Sequence, residues 1–155
     1  MKRLAATTIG KRKLNIDFRT QDFKYPAIVE AATMSCKIDF DRDLEYVSMS
    51  VRGALNLSQI RVCRGELQEV LRVYDRTRVL LDTTSVVAKL SAIEDYKFIK
   101  ELRHEFPTSV CMALVVSPER TTFGRFIETA AVTNGVRLKF FTDTNEAVAW
   151  LKKKN

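Results

Sequence analysis

Apolar and polar residues alternate over two neighbouring segments of the chain and predict a β-hairpin. The first segment, about residues 34–40, ends in the acidic cluster DFDRD at residues 39–43, which supplies turn-forming side chains. The second segment, EYVSMSVRG, alternates again. The small residues of YPAIVEAATMSCKIDF also permit a helix, but a hairpin is the simpler interpretation.

The period then changes to that of a helix. Apolar residues recur at spacings of three and four through LNLSQIRVCRGELQEVLRVYDR, at Ile60, Cys63, Leu67, Val70, Leu71 and Tyr74. Asn56 or Ser58 can cap the first turn. The pattern predicts an amphipathic helix with Arg61, Arg64 and Arg72 on its outer face.

A continuous apolar run, RVLLD at residues 78–82, follows this helix and is typical of a central strand that is covered on both faces. SAIEDYKFIKELRHEF then returns to helical spacing, and Pro107 ends it. The apolar positions predicted for this helix are Ile93, Tyr96, Ile99, Leu102 and Phe106.

The same cycle occurs twice more. SVCMALVV predicts a buried strand at residues 109–116, broken by Ser117 and Pro118, and VRLKFF predicts a last strand at residues 136–141. A helix with Phe123, Phe126, Ile127, Ala130 and Ala131 lies between them and ends at Asn134 and Gly135. A final helix contains Ala147, Val148 and Leu151, with Thr142, Asp143 or Thr144 as its cap. The order β β α β α β α β α predicts an α/β fold with a mixed, mostly parallel sheet flanked by helices.

Charge is concentrated at the two ends of the 155-residue chain. The formal net charge is +7. Residues 1–25 hold seven Lys or Arg against two Asp, and Lys152, Lys153 and Lys154 lie next to the last residue. The rest is close to neutral. We therefore expect a basic N-terminal extension at residues 1–30 and one domain at residues 31–155. Contact of the tails with nucleic acid or a membrane surface is an alternative that the nearly neutral body does not favour.

The three cysteines predict a reducing, cytoplasmic setting. Cys36, Cys63 and Cys111 are widely separated and lack metal or redox spacing, so we expect small buried hydrophobic residues. The basic start of the chain lacks the apolar core of a secretory signal.

Catalysis has little support in the sequence. His104 is the only histidine, and no nucleophile-elbow, zinc, P-loop or dinucleotide motif occurs. We therefore predict no enzymatic activity, no cofactor and no metal.

Two stretches resemble the SpoIIAA-like branch of the STAS and CRAL-TRIO-like proteins. They are RVLLDTTSV at the central strand and FGRFIETAAVTNGVRLKFFTDTNEAVAWL near the C-terminus, and the resemblance covers about residues 35–152. It implies the same α/β fold. The better understood STAS relatives are anti-sigma factor antagonists, which bind a kinase-like partner and are switched by phosphorylation of a serine or threonine after the central strand.

The resemblance also implies a regulatory site. The relatives' pattern is similar to a strand ending in D-x-S followed by D-S-S-G at a helix start. Here Asp82 and Thr84 match the first element, and Ser91 falls at the phosphorylated position. Leu90, Ala92 and Ile93 depart from the second element. A structural alternative makes Ser91 and Glu94 a capping box and Asp82 a strand-end carboxylate.

Aromatic residues gather in the last third of the chain. Phe123, Phe126, Phe141 and Trp150 could line an apolar pocket like that of lipid-binding CRAL-TRIO relatives, or they could be ordinary core. We predict a protein-interaction module, with an unidentified protein partner, that is switched at the loop between Asp82 and Ser91. The alternative is a carrier or sensor of a small apolar ligand.

Overall fold

The computed structural model describes residues 11–17 and 33–153. Its strands are β1 (Lys11–Asp17), β2 (Ser35–Asp41), β3 (Val47–Ala54), β4 (Arg78–Ala88), β5 (Cys111–Val115) and β6 (Arg137–Phe141). Its helices are α1 (Leu57–Tyr74), α2 (Ala92–Glu105), α3 (Thr121–Thr133) and α4 (Thr144–Lys153), with a 3₁₀ turn at Pro118–Arg120.

The strands form one six-stranded sheet in their order along the chain. β1, β2 and β3 are antiparallel neighbours, whereas the pairs β3–β4, β4–β5 and β5–β6 are parallel. The predicted fold class, a mixed, mostly parallel sheet flanked by helices, is confirmed.

Strand β1 is an addition that the sequence pattern did not predict. It lies within the basic N-terminal segment and pairs with the whole of β2, from Lys11 opposite Asp41 to Asp17 opposite Ser35. Residues 11–17 therefore belong to the sheet. The division of the chain at residue 30 stays a prediction, and the remainder of residues 1–30 lies outside the described part of the chain.

The predicted hairpin is confirmed. Side chains of β2 alternate between buried and half-buried positions, as expected for a strand with one face in the core. At the turn, the Asp41 side chain accepts a hydrogen bond from the amide of Asp43 (3.0 Å). The Asp41 carbonyl accepts another from the amide of Leu44 (3.0 Å).

Two clusters of buried side chains lie on opposite faces of the sheet. Met112 and Leu114 of β5 belong to the larger cluster, which includes residues of α1, α2 and α3. Cys111, Ala113 and Val115 belong to the smaller cluster, which α4 covers with Ala147 and Leu151. All five β5 side chains are buried, which confirms the prediction of a buried strand in this segment.

Side-chain caps fix where several helices begin. The Asn56 side chain accepts from the amide of Gln59 at the start of α1 (3.1 Å). Before α4, Asp143 accepts from the amides of Asn145 (2.7 Å) and Glu146 (3.2 Å). Of the alternatives predicted for each helix, Asn56 and Asp143 supply these bonds.

Three predicted positions on the faces of α1 and α2 are wrong. Arg64, predicted on the outer face of α1, is buried against α2, where carboxylates compensate its charge. Ile93 and Tyr96, predicted in the core, are 71% and 48% exposed. Asp95, not its neighbours, shares the buried face of α2 with Ile99 and Leu102.

The prediction of three free cysteines is also wrong. Cys36 of β2 and Cys63 of α1 form a disulfide with their Cα atoms 6.6 Å apart. Spacing along the sequence could not reveal this pair, because the fold brings the hairpin beneath α1. Cys111 is a buried free cysteine, as predicted.

None of the helices in the described part of the chain is long and apolar enough to cross a bilayer.

Candidate functional site

Asp82 and Thr84 lie within β4, not at its end. The Asp82 carboxylate accepts hydrogen bonds from the Thr84 amide (2.9 Å) and hydroxyl (2.7 Å). The predicted loop from Asp82 to Ser91 is therefore wrong, since β4 continues to Ala88 and only residues 89–91 connect it to α2. The sequence did not predict this continuation of β4, because the polar residues of DTTS are typical of a turn.

A register shift in the pairing of β3 with β4 lies next to the point where β4 loses its other neighbour, β5. Ser50 pairs with Asp82 but Arg52 pairs with Ser85, so β4 has one residue more than β3 over this interval. Pairing with β5 ends at Asp82 and Val115, where the Thr83 hydroxyl donates to the Val115 carbonyl (2.8 Å). The second half of β4 thus extends past the end of β5.

Ser91 caps α2. Its hydroxyl oxygen accepts from the Glu94 amide (3.2 Å), while the Glu94 carboxylate accepts from the Ser91 amide (3.2 Å). This reciprocal arrangement is a capping box and confirms the structural alternative. Ser91 is exposed, so the cap leaves it accessible. Its phosphorylation stays a prediction.

Exposed apolar side chains flank this cap along the chain. Val87 at the end of β4 is 65% exposed, and Ile93 and Tyr96, one turn apart on α2, are the two exposed apolar residues noted above. Lys89, Lys97 and Lys100 are also exposed, and the Lys100 ammonium lies 5.7 Å from the centre of the Tyr96 ring. We call Val87, Ile93 and Tyr96 with these three lysines the junction patch.

A charge network fixes α2 against α1. Arg64, only 4% exposed, donates from Nη2 to Glu101 (2.8 Å) and from Nε to Glu105 (2.9 Å). Its guanidinium also lies 5.6 Å from the Phe98 ring centre. Arg61 donates to Glu101 across 2.6 Å. These bonds, that of Arg61 first, lower the pKa of Glu101 from 4.5 to about 2.

The four aromatic residues predicted to line a pocket do not come together. Phe123 contacts the larger core cluster, and Phe126 is 41% exposed on the outside of α3. Phe141 and Trp150 belong to the smaller cluster across the sheet, where their ring centres are 5.7 Å apart. Alternation along β6 separates Phe141 from the face that Phe123 covers. Trp150 is half-buried, as predicted.

A different cavity, of about 70 Å³, lies under the helices on the larger core face. Its wall is almost entirely apolar and includes Met49, Phe98, Phe123 and Leu138. Asp95 also lines it and is 4% exposed. Asp95 was not among the residues predicted from the sequence, although its spacing of four from Ile99 and seven from Leu102 placed it on their face.

Burial raises the pKa of Asp95 from 3.8 to about 6. Lys89 opposes this rise and Glu94 adds to it. The net rise in pKa thus comes from burial and two neighbouring charges, without a contribution from a hydrogen bond to the carboxylate.

Within residues 11–17 and 33–153, no three His, Cys, Asp or Glu side chains lie close enough together to hold a metal ion. His104 is exposed near the end of α2. Neither observation identifies catalytic machinery in these ranges.

Comparisons with known proteins show likeness in fold. No family model matches the sequence, and no curated protein matches it. The chain is similar to the crystal structure of an anti-sigma factor antagonist from Mycobacterium paratuberculosis, with a TM-score of 0.55 and 12% identity over 78% of this chain and 96% of the other.

A second solved structure shows the same likeness in fold. It is an uncharacterised protein of the DUF3478 family from Shewanella loihica PV-4, described as having a SpoIIAA-like fold. The TM-score is 0.53 and the identity 20%, over 76% of this chain and 93% of that protein. Together with the strand order and helix positions, these likenesses show that the chain has the SpoIIAA/STAS-like fold.

Proposed function

We propose that this protein is a non-enzymatic, regulatory protein-interaction module whose junction patch binds a partner protein. The observation that carries the proposal is the exposure of Ile93 and Tyr96 on the first turns of α2. Helix α2 has a buried face available, yet two large apolar side chains lie on its outer face. Exposed apolar groups rimmed by charge are typical of protein interfaces.

The charges of the patch indicate the chemistry of the partner. Lys89, Lys97 and Lys100 contribute three positive charges, while Asp95 on the same helix is buried. We infer a partner surface with an apolar centre and an acidic rim, because such a surface complements the patch in both respects. The likeness to an anti-sigma factor antagonist supports a partner of the protein class.

Ser91 is the proposed switch within this surface. It lies two residues before Ile93 and between Lys89 and Glu94 in the chain. A phosphate at this position would remain compatible with the helix N-terminus. It would also add negative charge beside the lysines and so repel an acidic partner rim. Phosphorylation would then weaken binding without unfolding the domain.

The test is affinity purification of the full chain from its host, followed by measurement of the partner's affinity for purified variants. Ile93→Ala/Tyr96→Ala removes the apolar centre of the patch with helix-favouring residues. We expect at least about tenfold weaker binding, since truncated interface anchors often cost more than about 1.4 kcal/mol.

Val132→Ala is the matched control. Val132 is 63% exposed on α3 and lies outside the patch. Equal binding by wild type and by this control, with loss in the double variant, supports the proposal. Equal binding by all three proteins contradicts it.

A second candidate function, a carrier or sensor of a small apolar ligand, is favoured by the 70 Å³ cavity alone. The cavity lies under the start of α2, since Leu90, Asp95 and Phe98 all line it. A ligand there would contact the same helix that carries the patch. This candidate function therefore predicts that the chain binds a small molecule in the absence of a partner protein.

The cellular setting is a separate part of the proposal. The spacing of the cysteines and the absence of a secretory pattern led us to predict a cytoplasmic protein. The Cys36–Cys63 disulfide argues in the other direction, because such bonds persist in oxidising compartments and are rare in the cytosol. The redox state of this pair in the host decides between the two settings.

A further inference from the structure

We propose that Glu128 protects the open edge of the sheet at β6 and prevents this edge from pairing with a second copy of the chain. The inference concerns α3 and β6, and it does not depend on the junction patch or on the proposed function.

β6 lies at an edge of the sheet. Within the described part of the chain it pairs with β5 alone. Backbone groups on the open side of an edge strand can pair with a strand of another molecule. The sequence of β6, RLKFF, favours such pairing, because it combines a leucine and two phenylalanines and contains no proline.

Backbone hydrogen bonds show which groups of β6 point to the open side. The Phe141 carbonyl accepts from the amide of Val116, the residue after β5, across 2.9 Å. This carbonyl therefore points toward β5. Backbone groups alternate in direction along a strand, so those of Leu138 and Phe140 point away from β5.

Glu128 of α3 binds one of these outward groups. Its carboxylate accepts a hydrogen bond from the Phe140 amide across 2.8 Å. A charged acceptor makes a stronger hydrogen bond than the neutral carbonyl of another strand. A second molecule would have to break this bond before its own strand could pair with β6.

Close packing of α3 on Phe140 holds Glu128 within reach of the edge. A Cβ atom placed on Gly124 would lie 2.6 Å from the Phe140 ring, so a larger residue would push the helix away from the strand. Gly124 and Glu128 are four residues apart and lie on the same face of α3. The Arg125 guanidinium lies 6.0 Å from the centre of the same ring.

Lys139 adds a second protection. It is exposed on β6, and in an antiparallel pair of β6 strands centred on this residue it would lie opposite its own copy. Like charges directly opposite each other destabilise a strand pair. This repulsion is screened by salt, whereas the bond between Glu128 and the Phe140 amide is a direct contact.

The test is sedimentation velocity of the full chain over a range of concentrations in about 1 M NaCl, where the Debye length is about 3 Å. Glu128→Ala removes the acceptor. Glu128→Gln keeps a carbonyl oxygen at the end of the side chain, and Thr129→Ala changes the neighbouring exposed residue as a control. We expect Glu128→Ala to self-associate at least about tenfold more tightly than wild type, and the other two variants to match wild type.

Amide hydrogen exchange locates the contact. We expect the Phe140 amide of the wild type to exchange more slowly than the other outward amide, that of Leu138. In associated Glu128→Ala, both amides should become protected. Circular dichroism on the same samples checks that this variant keeps its fold.

Three results would overturn the inference. The first is a folded Glu128→Ala that associates no more than wild type. The second is association that leaves the Leu138 and Phe140 amides unprotected, which would place the contact elsewhere. The third is equally fast exchange of these two amides in the wild type, which would mean that Glu128 does not hold the edge, whatever the stability of the variants.

Discussion

Arg64 of α1 and Glu101 of α2, which lie 37 residues apart in sequence, are joined by a 2.8 Å hydrogen-bonded ion pair that connects the two helices. Arg64 also donates to both carboxylate oxygens of Glu105, each across 2.9 Å. A planar guanidinium can make these bonds together, whereas a lysine ammonium cannot reproduce the geometry. The pair therefore helps to hold α2, and with it the junction patch, against α1.

We predict that Arg64→Ala lowers the free energy of unfolding by about 2–4 kcal/mol, because it removes both the ion pairs and the packing of a buried side chain. Arg64→Met should cost less, since it restores much of the apolar stem. Arg72 on the same helix is the matched control. It pairs with Glu69 at an exposed position, so Arg72→Ala should change stability little.

Urea unfolding followed by circular dichroism measures these differences. Equal stabilities of Arg64→Ala and Arg72→Ala would contradict a structural role for the buried pair.

The sequence revealed the elements better than it revealed which residues face inward. The strand and helix order after residue 33 followed from hydrophobic period, because buried faces impose that period directly. Arg64 and Ile93 were misplaced since each breaks the rule that a helix buries its apolar positions. Arg64 is buried because two glutamates from another helix compensate it, and only tertiary structure brings them together.

Part of the candidate site could also be predicted from the sequence, and part could not. The Ser91 cap was predictable, since a capping box is local and its residues are three apart. The cavity beside Asp95 was not, because its wall comes from many separate segments of the chain. The continuation of β4 past Asp82 depends on pairing with β3, which local sequence does not encode.

We predict that substitutions at Ser91 separate the cap from the switch. Ser91→Ala should lower the free energy of unfolding by about 1 kcal/mol and leave partner affinity unchanged. Ser91→Asp should keep the cap, because aspartate is a favoured N-cap residue, yet weaken binding through its charge.

Thermal unfolding and partner titration on the same samples measure both effects. Unchanged partner binding by Ser91→Asp would remove the switch from the proposal and leave the patch in place.

We predict that the Cys36–Cys63 bond stabilises the oxidised domain. It closes a segment with a sequence separation of 27, for which the chain-entropy model gives about 3.5 kcal/mol. A reductant should lower the free energy of unfolding by this amount in wild type. It should have no such effect in Cys36→Ala/Cys63→Ala, where Cys111 is the remaining cysteine.

Thiol alkylation and intact-mass measurement of protein from the host would show which form exists there. One alkylated cysteine per denatured chain indicates the disulfide, and three indicate the reduced form.

We predict that Asp95→Asn changes how stability depends on pH. Burial raises the folded-state pKa of Asp95 to about 6 from the ordinary 3.8. Between these values the folded protein binds more protons than the unfolded chain, so wild-type stability from this group falls as pH rises. Glu101 affects stability in a different pH range. Its folded-state pKa is lowered to about 2, so the stabilisation that it provides is lost only as the pH falls toward that value.

The difference between variant and wild type isolates Asp95. The asparagine side chain of Asp95→Asn cannot ionise, so the stability of this variant relative to wild type should increase by about 2 kcal/mol from pH 4 to above pH 6. The other charges acting on Asp95, Lys89 and Glu94, are present in both proteins. Urea unfolding at steps across this range, with the disulfide kept oxidised, measures the difference. A flat difference would mean that the Asp95 carboxylate is solvated or paired in the folded protein, and it would contradict the prediction.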